Sequence, residues 1–338
     1  MNGKTVRRGL LGAAHTAAHT AALAAALLAS ALAPPAAQAA YPERPIRLIV
    51  GIAAGGVVDT VARILAPHLS QTLGQQVIVD SKPGASGLIA AQSFVTAPAD
   101  GYTLLFGLIT YAVLPHAQKV GFDPRTDLLP LTQMTAVPVA FVTSTARPYR
   151  SVADIVAAVK QAPDKVNFAT GGLGTTSHLA GLLLARNVDA RITFVHYKGG
   201  APALQGVVAG ETDAMFDNPQ PSTFAFEKAG KLRIMAVMQE RRVRSMPDVP
   251  TITELGYSKD VAVSSWHGLF GRPGTPQEAV DRILDAMSKA LADPEIVAKL
   301  EGLGLEVVGS SQDAFRAHFN REYERWGSVI RETGLKLE

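Results

Sequence analysis

The chain has 338 residues, 47% of them hydrophobic, and no cysteine. That is enough apolar content for one large core or two smaller ones, and the missing thiols exclude disulfides, thiolate metal sites, a cysteine nucleophile and a lipoprotein anchor. The formal charge of +3 belongs to the first 39 residues, which hold three of the 32 basic residues and none of the 29 acidic ones, so the rest is balanced and argues against nucleic acid as a partner.

Lys4, Arg7 and Arg8 precede an apolar, Ala-rich stretch over 9–33, and Ala37-Gln38-Ala39 supplies a small-x-small cleavage pattern. We read 1–39 as a signal peptide cleaved near Ala39, which places the mature chain in the periplasm. Arg7-Arg8 raises twin-arginine export as well as the general route, although Val6 stands where Ser or Thr is usual. Beyond the leader, short apolar strands alternate with amphipathic helices. Strands are predicted at 47–50, 77–79 and 102–106, with helices after the first two, the second over 88–97. Pro67 predicts a kink or early end in the first helix. This β-α-β-α-β order implies a mostly parallel sheet with right-handed crossovers. A strand over 139–142 is expected to carry the chain out of the first lobe, and Ser151-Val152-Ala153-Asp154 reads as a helix start with a capping box. Further strands are expected at 166–169, 193–197, 214–217 and 232–237, with helices from near Thr176, Ala201 and Pro219. A returning strand over 261–270 and helices after Thr275 and Ser311 close the chain. The fold class is therefore α/β. Lobe one is expected to comprise 40–141 and 264–338, and lobe two 142–263.

Three Gly-rich turns stand between strands and helices: Ala54-Gly55-Gly56, Pro83-Gly84-Ala85-Ser86-Gly87, and Thr170-Gly171-Gly172-Leu173-Gly174-Thr175-Thr176-Ser177. Such turns are either plain tight turns or anion-binding walls, in which backbone approaches the ligand and a helix start offers free N–H groups. Three at strand-to-helix junctions favour anion binding at the carboxyl ends of the strands. A nucleotide site lacks its motifs: there is no Gly-x-x-x-x-Gly-Lys-Ser/Thr, and Gly172-Leu173-Gly174-Thr175-Thr176-Ser177 departs from the dinucleotide pattern. A hydrolase lacks its Gly-x-Ser-x-Gly elbow, and neighbours Ser177 and His178 diverge on a helix. No His-Glu-x-x-His occurs and the histidines are scattered, so neither a metal nor a cofactor is expected. Arg241, Arg242 and Arg244 form either a solvated face or a docking patch for a membrane partner. Trp266 suits core packing, while His267 either packs or borders a cleft.

The ordered motifs resemble one family. Tyr41-Pro42-Glu43-Arg44-Pro45-Ile46-Arg47-Leu48-Ile49-Val50 with Ala54-Gly55-Gly56 and Asp59 is similar to the opening of the Bordetella uptake gene (Bug) family, the solute-binding components of tripartite tricarboxylate transporters. Lys82-Pro83-Gly84-Ala85-Ser86-Gly87, Asp100-Gly101-Tyr102-Thr103, Tyr197-Lys198-Gly199-Gly200, Met215-Phe216-Asp217-Asn218, Pro247-Asp248-Val249-Pro250 and Ser265-Trp266-His267-Gly268 follow in order, over about 41–330. The resemblance implies a two-lobe, type II-like periplasmic binding protein fold, with a hinged cleft that closes on a carboxylate and without catalysis. It implies a ligand that is a di- or tricarboxylate, an acidic amino acid or an aromatic carboxylate, and permease subunits as partners of a monomeric receptor. Ala54, Gly55, Gly56, Asp59, Ser86, Gly87 and Thr110 would then form the first-lobe wall, and Gly172, Gly174, Thr175, Thr176, Ser177, Asp217 and Asn218 the facing one. Ala54, Val57, Val58, Ser86, Leu88 and His267 depart from the family pattern, and a more apolar cleft wall favours an aromatic or branched acid. A periplasmic sensor feeding a two-component system has the same fold and site, and an exported hydrolase is the remote alternative.

Overall fold

The computed structural model describes residues 41–336 except 53 and 56, so the expected leader and Gly56 lie outside the described residues. Of the segment up to Glu43 it describes Tyr41, Pro42 and Glu43, and the strands and helices given below belong to the unit that begins at Arg44. The chain runs β1 (Ile46–Val50), α1 (Val57–Leu73), β2 (Val77–Ser81), α2 (Leu88–Val95), β3 (Thr103–Leu108), α3 (Thr110–Ala117), β4 (Leu129–Val137), β5 (Ala140–Ser144), α4 (Val152–Gln161), β6 (Asn167–Thr170), α5 (Thr176–Asn187), β7 (Thr193–His196), α6 (Gly200–Ala209), β8 (Ala214–Asp217), α7 (Pro221–Lys228), β9 (Leu232–Val237), β10 (Ser265–Gly271), α8 (Gln277–Ala292), α9 (Pro294–Gly302), β11 (Glu306–Val307) and α10 (Gln312–Thr333).

Two mixed sheets result. The first has the order β11-β4-β10-β3-β1-β2 and the second β7-β6-β8-β5-β9. In the first, β1 pairs in parallel with β2 and β3, as the alternating helices require. Antiparallel β10 and β4 then extend it. The second repeats the plan, with β6 parallel to β7 and β8, and β5 antiparallel to both β8 and β9. Central strand β3, Thr-Leu-Leu-Phe-Gly-Leu, is buried along its whole length, which is why it reads as an unbroken apolar run.

Several expectations need correcting. The strand expected to leave the first lobe at 139–142 is β5, which lies wholly in the second sheet. The passage between sheets is at Pro138 and Val139, after β4, a strand the sequence pattern did not reveal. Its run Leu-Pro-Leu-Thr-Gln-Met-Thr-Ala-Val neither alternates nor stays apolar, yet nearly all of it is buried between β10 and β11. The chain returns between β9 and β10. Helix α1 continues through Pro67, because that residue sits on the exposed side while Val61, Ala62, Leu65, Ala66 and Leu69 anchor the buried face. The carbonyl that loses its partner there belongs to Arg63, an exposed residue. The capping box at Ser151 and Asp154 forms as expected, with both reciprocal hydrogen bonds present.

Aromatic side chains fix each sheet's packing. Phe141, Phe168 and Phe216 cluster in the second sheet, with Phe141 and Phe216 rings 4.5 Å apart. In the first, fully buried Trp266 and Phe270 of β10 meet Phe315 and Phe319 of α10 edge-on or tilted. Trp266 is thus core, and it holds its neighbour His267 on the opposite side of the strand.

Candidate functional site

A cavity of about 360 Å³ lies between the two sheets, a size suited to a small organic ligand. It stands where the parallel strands end, the place open α/β sheets reserve for ligands. From the first sheet it is bounded by Ile52, Val57 and Val58 after β1, by Leu108 at the end of β3 with Ile109 and Thr110 after it, and by Ser265 and His267 of β10. From the second come Gly171, Thr175, Thr176 and Ser177 after β6, Gly199 and Gly200 after β7, and Asp217 and Asn218 at the end of β8. Leu303 and Leu305, between α9 and β11, face Pro219 and Gln220 at the rim. Here the two halves touch closely: a Cβ on Gly304 would stand 2.5 Å from the Pro219 carbonyl oxygen, and its φ of +81° also demands glycine.

The β1–α1 turn is built by a carboxylate that does not itself line the cavity. Asp59, only 2% exposed, accepts hydrogen bonds from Gly55 N at 2.9 Å, Ser81 Oγ at 3.1 Å and Arg63 Nε at 2.8 Å. The Arg63 hydrogen bond holds its pKa below the ordinary carboxylate value, overcoming the effect of burial. Next to this turn, Ser86 and Gly87 form the start of α2. Their carbonyls are taken by Thr110 Oγ1, at 2.9 Å, and Tyr111 Oη, at 3.3 Å. Gly87, with φ of +91°, caps α2, and a side chain there would press on the Tyr111 hydroxyl at 3.2 Å.

The facing turn is tied internally. Gly171 N donates to Ser177 Oγ at 3.0 Å, and Thr175 Oγ1 donates to the Gly172 carbonyl at 2.7 Å. Gly174 N donates to His178 Nδ1 at 3.1 Å, which fixes His178 as an acceptor there. Burial pushes His178 down to about 4, so it stays neutral. Helix α5 makes its first internal bond from Leu179 N to the Thr175 carbonyl. The N–H groups of Thr176 and Ser177, both lining residues, are therefore left free of helix partners, with the positive end of the helix behind them.

Asp217 is the second buried carboxyl, also 2% exposed, and it does line the cavity. Thr223 Oγ1 donates to it at 2.6 Å, but among the described residues no cation pairs with it. Burial raises its pKa to about 6, against the lowering effect of hydrogen bonds from Thr223 and the Asn218 backbone. Asn218 Nδ2 donates to the Pro138 carbonyl at 3.1 Å, tying this corner to the passage between sheets. No Lys or Arg is among the described lining residues. Among the described residues no group of three or more His, Asp or Glu is placed to hold a metal ion.

Of the residues singled out from sequence, the structure brings Thr110, Thr175, Thr176, Ser177, Asp217 and Asn218 to the cavity. Ala54, Gly55, Asp59, Ser86, Gly87, Gly172 and Gly174 do not line it, and they build or flank the turns that do. Val57 and Val58, legible as departures from the family pattern, do stand in the wall, whereas Ile52, Leu108 and Ile109 were not singled out. Gly199 and Gly200 carried a family motif, whereas Leu303 and Leu305 carried no signal at all. Arg242 and Arg244 are exposed and paired with Glu254 and Glu301, as a solvated face would be.

The chain is similar to known binding proteins along most of its length. A family model described as tripartite tricarboxylate transporter family receptor matches residues 61–335. Protein BugT of Bordetella pertussis is 32% identical over 307 residues, covering 90% of this chain and 94% of that protein. The Rhodopseudomonas palustris protein Rpa4515, in a structure with adipate, is 31% identical at a TM-score of 0.75, covering 88% of this chain and 99% of that one. MatC from the same organism, with bound malate, is 30% identical at a TM-score of 0.73, covering 86% of this chain and 100% of that one.

Proposed function

The chain belongs to the tripartite tricarboxylate transporter receptor family, whose members are periplasmic solute-binding proteins rather than enzymes, and from that premise we propose that it captures a small carboxylate and delivers it to the permease subunits of such a transporter. The observation that carries this reading is the cavity between the sheets, walled by a helix start with free N–H groups on one side and aliphatic residues on the other. Backbone N–H groups, hydroxyls and a helix dipole suit an anion without needing a cation. Ile52, Val57, Val58, Leu108 and Ile109 suit the ligand's apolar body, so an aromatic or branched acid fits this wall better than citrate-like acids do. The two halves are joined at Pro138–Val139 and by the segment between β9 and β10, and ligand held by both would favour the closed arrangement through contacts an open one lacks. The receptor acts as a monomer after loss of its leader.

A thermal-shift screen over mono-, di- and tricarboxylates, acidic amino acids and aromatic carboxylates tests this, since a ligand that binds only the folded state raises the melting temperature. At least one carboxylate should stabilise the protein, and Thr176→Trp, which fills the cavity, should abolish the shift. A shift unchanged in that variant, or no shift from any carboxylate, contradicts the proposal.

A further inference from the structure

The first-sheet wall of the cavity is aliphatic except at Thr110, Ser265 and His267. His267 has the features of a built recognition group. It lies on β10 between two strands, opposite Leu108 of β3 and Thr135 of β4. The register between β10 and β4 slips immediately after it, from His267 opposite Thr135 to Gly268 opposite Gln133. Such bulges re-aim a side chain and are common beside functional sites. The ring is 5% exposed, packs 5.3 Å from the Phe106 ring, and has Nδ1 2.9 Å from Thr135 Oγ1.

The hydrogen bond fixes the tautomer. Thr135 is 0% exposed and its hydroxyl has no partner besides His267. A buried hydroxyl needs an acceptor for its hydrogen, so it donates to Nδ1. The ring proton then sits on Nε2, the one polar atom of the side chain without a hydrogen bond, in a residue that lines the cavity. Burial holds the imidazole neutral, with a pKa lowered to about 4. His267 is therefore an uncharged donor in a largely aliphatic wall. An apolar ligand would strand that donor without water, and a donor is of use only to an acceptor. The other titratable group in the lining, Asp217, is an acid, and no described lining residue is Lys or Arg. A second carboxylate on the ligand would meet a neutral donor on this wall and no described cation.

We propose that His267 is a specificity-determining residue: its Nε2–H donates to an uncharged acceptor, such as a ketone oxygen, on the body of the bound acid, so that the protein selects an oxo-monocarboxylate over both its alkyl analogue and the matching dicarboxylate. Thr135 is a positioning residue that acts through His267. This rests on the reading of the cavity as a carboxylate site.

Three five-carbon acids separate the possibilities by calorimetry: valerate ends in a methyl group, levulinate carries a ketone, and glutarate ends in a second carboxylate. The wild type should bind levulinate about tenfold or more tightly than valerate or glutarate. His267→Phe should bring the ratio of levulinate to valerate affinity to about one. His267→Gln, which keeps an N–H donor, should retain part of the preference, and Thr135→Val should reduce it with the circular dichroism spectrum intact. The ratio of levulinate to valerate affinity is the decisive readout, because general loosening of the wall would weaken both acids together. The proposal is overturned if the ratio survives His267→Phe in a folded variant, if glutarate binds as tightly as levulinate, or if other small carboxylates bind but none of these three does. A wild type that binds no carboxylate of any kind overturns the carboxylate reading itself, and His267's role with it.

Discussion

Asp59, in the first turn of α1, and Asp217, the last residue of β8, are both 2% exposed and both flank a strand-to-helix connection, yet the molecule treats them in opposite ways. Asp59 is surrounded by donors, among them the Arg63 guanidinium, and its pKa is lowered. Asp217 has a hydroxyl and a backbone N–H but no cation among the described residues, and burial raises its pKa to about 6. The first carboxylate holds a turn together and is kept out of the cavity. The second is left incompletely compensated and lines it. The difference teaches that a fully satisfied buried charge serves the fold, while a partly satisfied one marks where the ligand comes.

The comparison breaks most sharply on mutation. Asp59→Ala should lower stability by about 2–3 kcal/mol, because Gly55 N, Ser81 Oγ and Arg63 lose a shared acceptor and the helix start loses its cap. Urea unfolding at neutral pH measures it. Asp217→Asn should do the reverse and raise stability by about 1–2 kcal/mol at about pH 8, since it removes an ionised group that the fold does not balance. The sign follows from linkage. A folded pKa above the unfolded one stabilises the protein below the unfolded value, and that stability is lost as pH rises through about 6. Asp59, with a lowered pKa, contributes stability above its unfolded value that is lost as pH falls. Equal losses in the two variants would dissolve the contrast.

A smaller effect sharpens it. An anionic ligand beside Asp217 raises that group's pKa further, so carboxylate affinity should rise about three- to tenfold between about pH 8 and about pH 5.5, with proton uptake. His267 does not confound this, because its pKa is lowered to about 4 and it stays neutral across the window. In Asp217→Asn the pH dependence should vanish. Calorimetry in two buffers of different ionisation enthalpy reads both quantities.

Much of this architecture is legible in the sequence, because buried parallel strands and amphipathic helices leave strong periodic signals. Strands at 214–217 and 232–237 and the helix start at Thr176 fall where the pattern places them. β4 is not legible, since its burial comes from β10 and β11 covering a mixed run that has no period of its own. The candidate site divides along the same line. The Gly-rich turns announce themselves, but sequence does not reveal that Gly172 and Gly174 shape a loop whose contact with the cavity is made by Thr175, Thr176 and Ser177. Nor does it place Leu303 and Leu305 at the rim, because they reach it from the far end of the chain through the tight approach of Gly304 to Pro219. Long-range approaches of this kind depend on packing, which local patterns do not encode.

The central claim is that a small carboxylate is held between the two sheets by the start of α5 and the wall after β1. A crystal structure of the protein with the strongest stabiliser from the carboxylate screen tests it most directly. The carboxylate should lie in the cavity, with an oxygen within hydrogen-bond reach of N–H groups at Thr176 or Ser177 and its apolar body against Val57, Val58 and Leu108. A ligand bound elsewhere on the surface, with this cavity left to solvent, would contradict it.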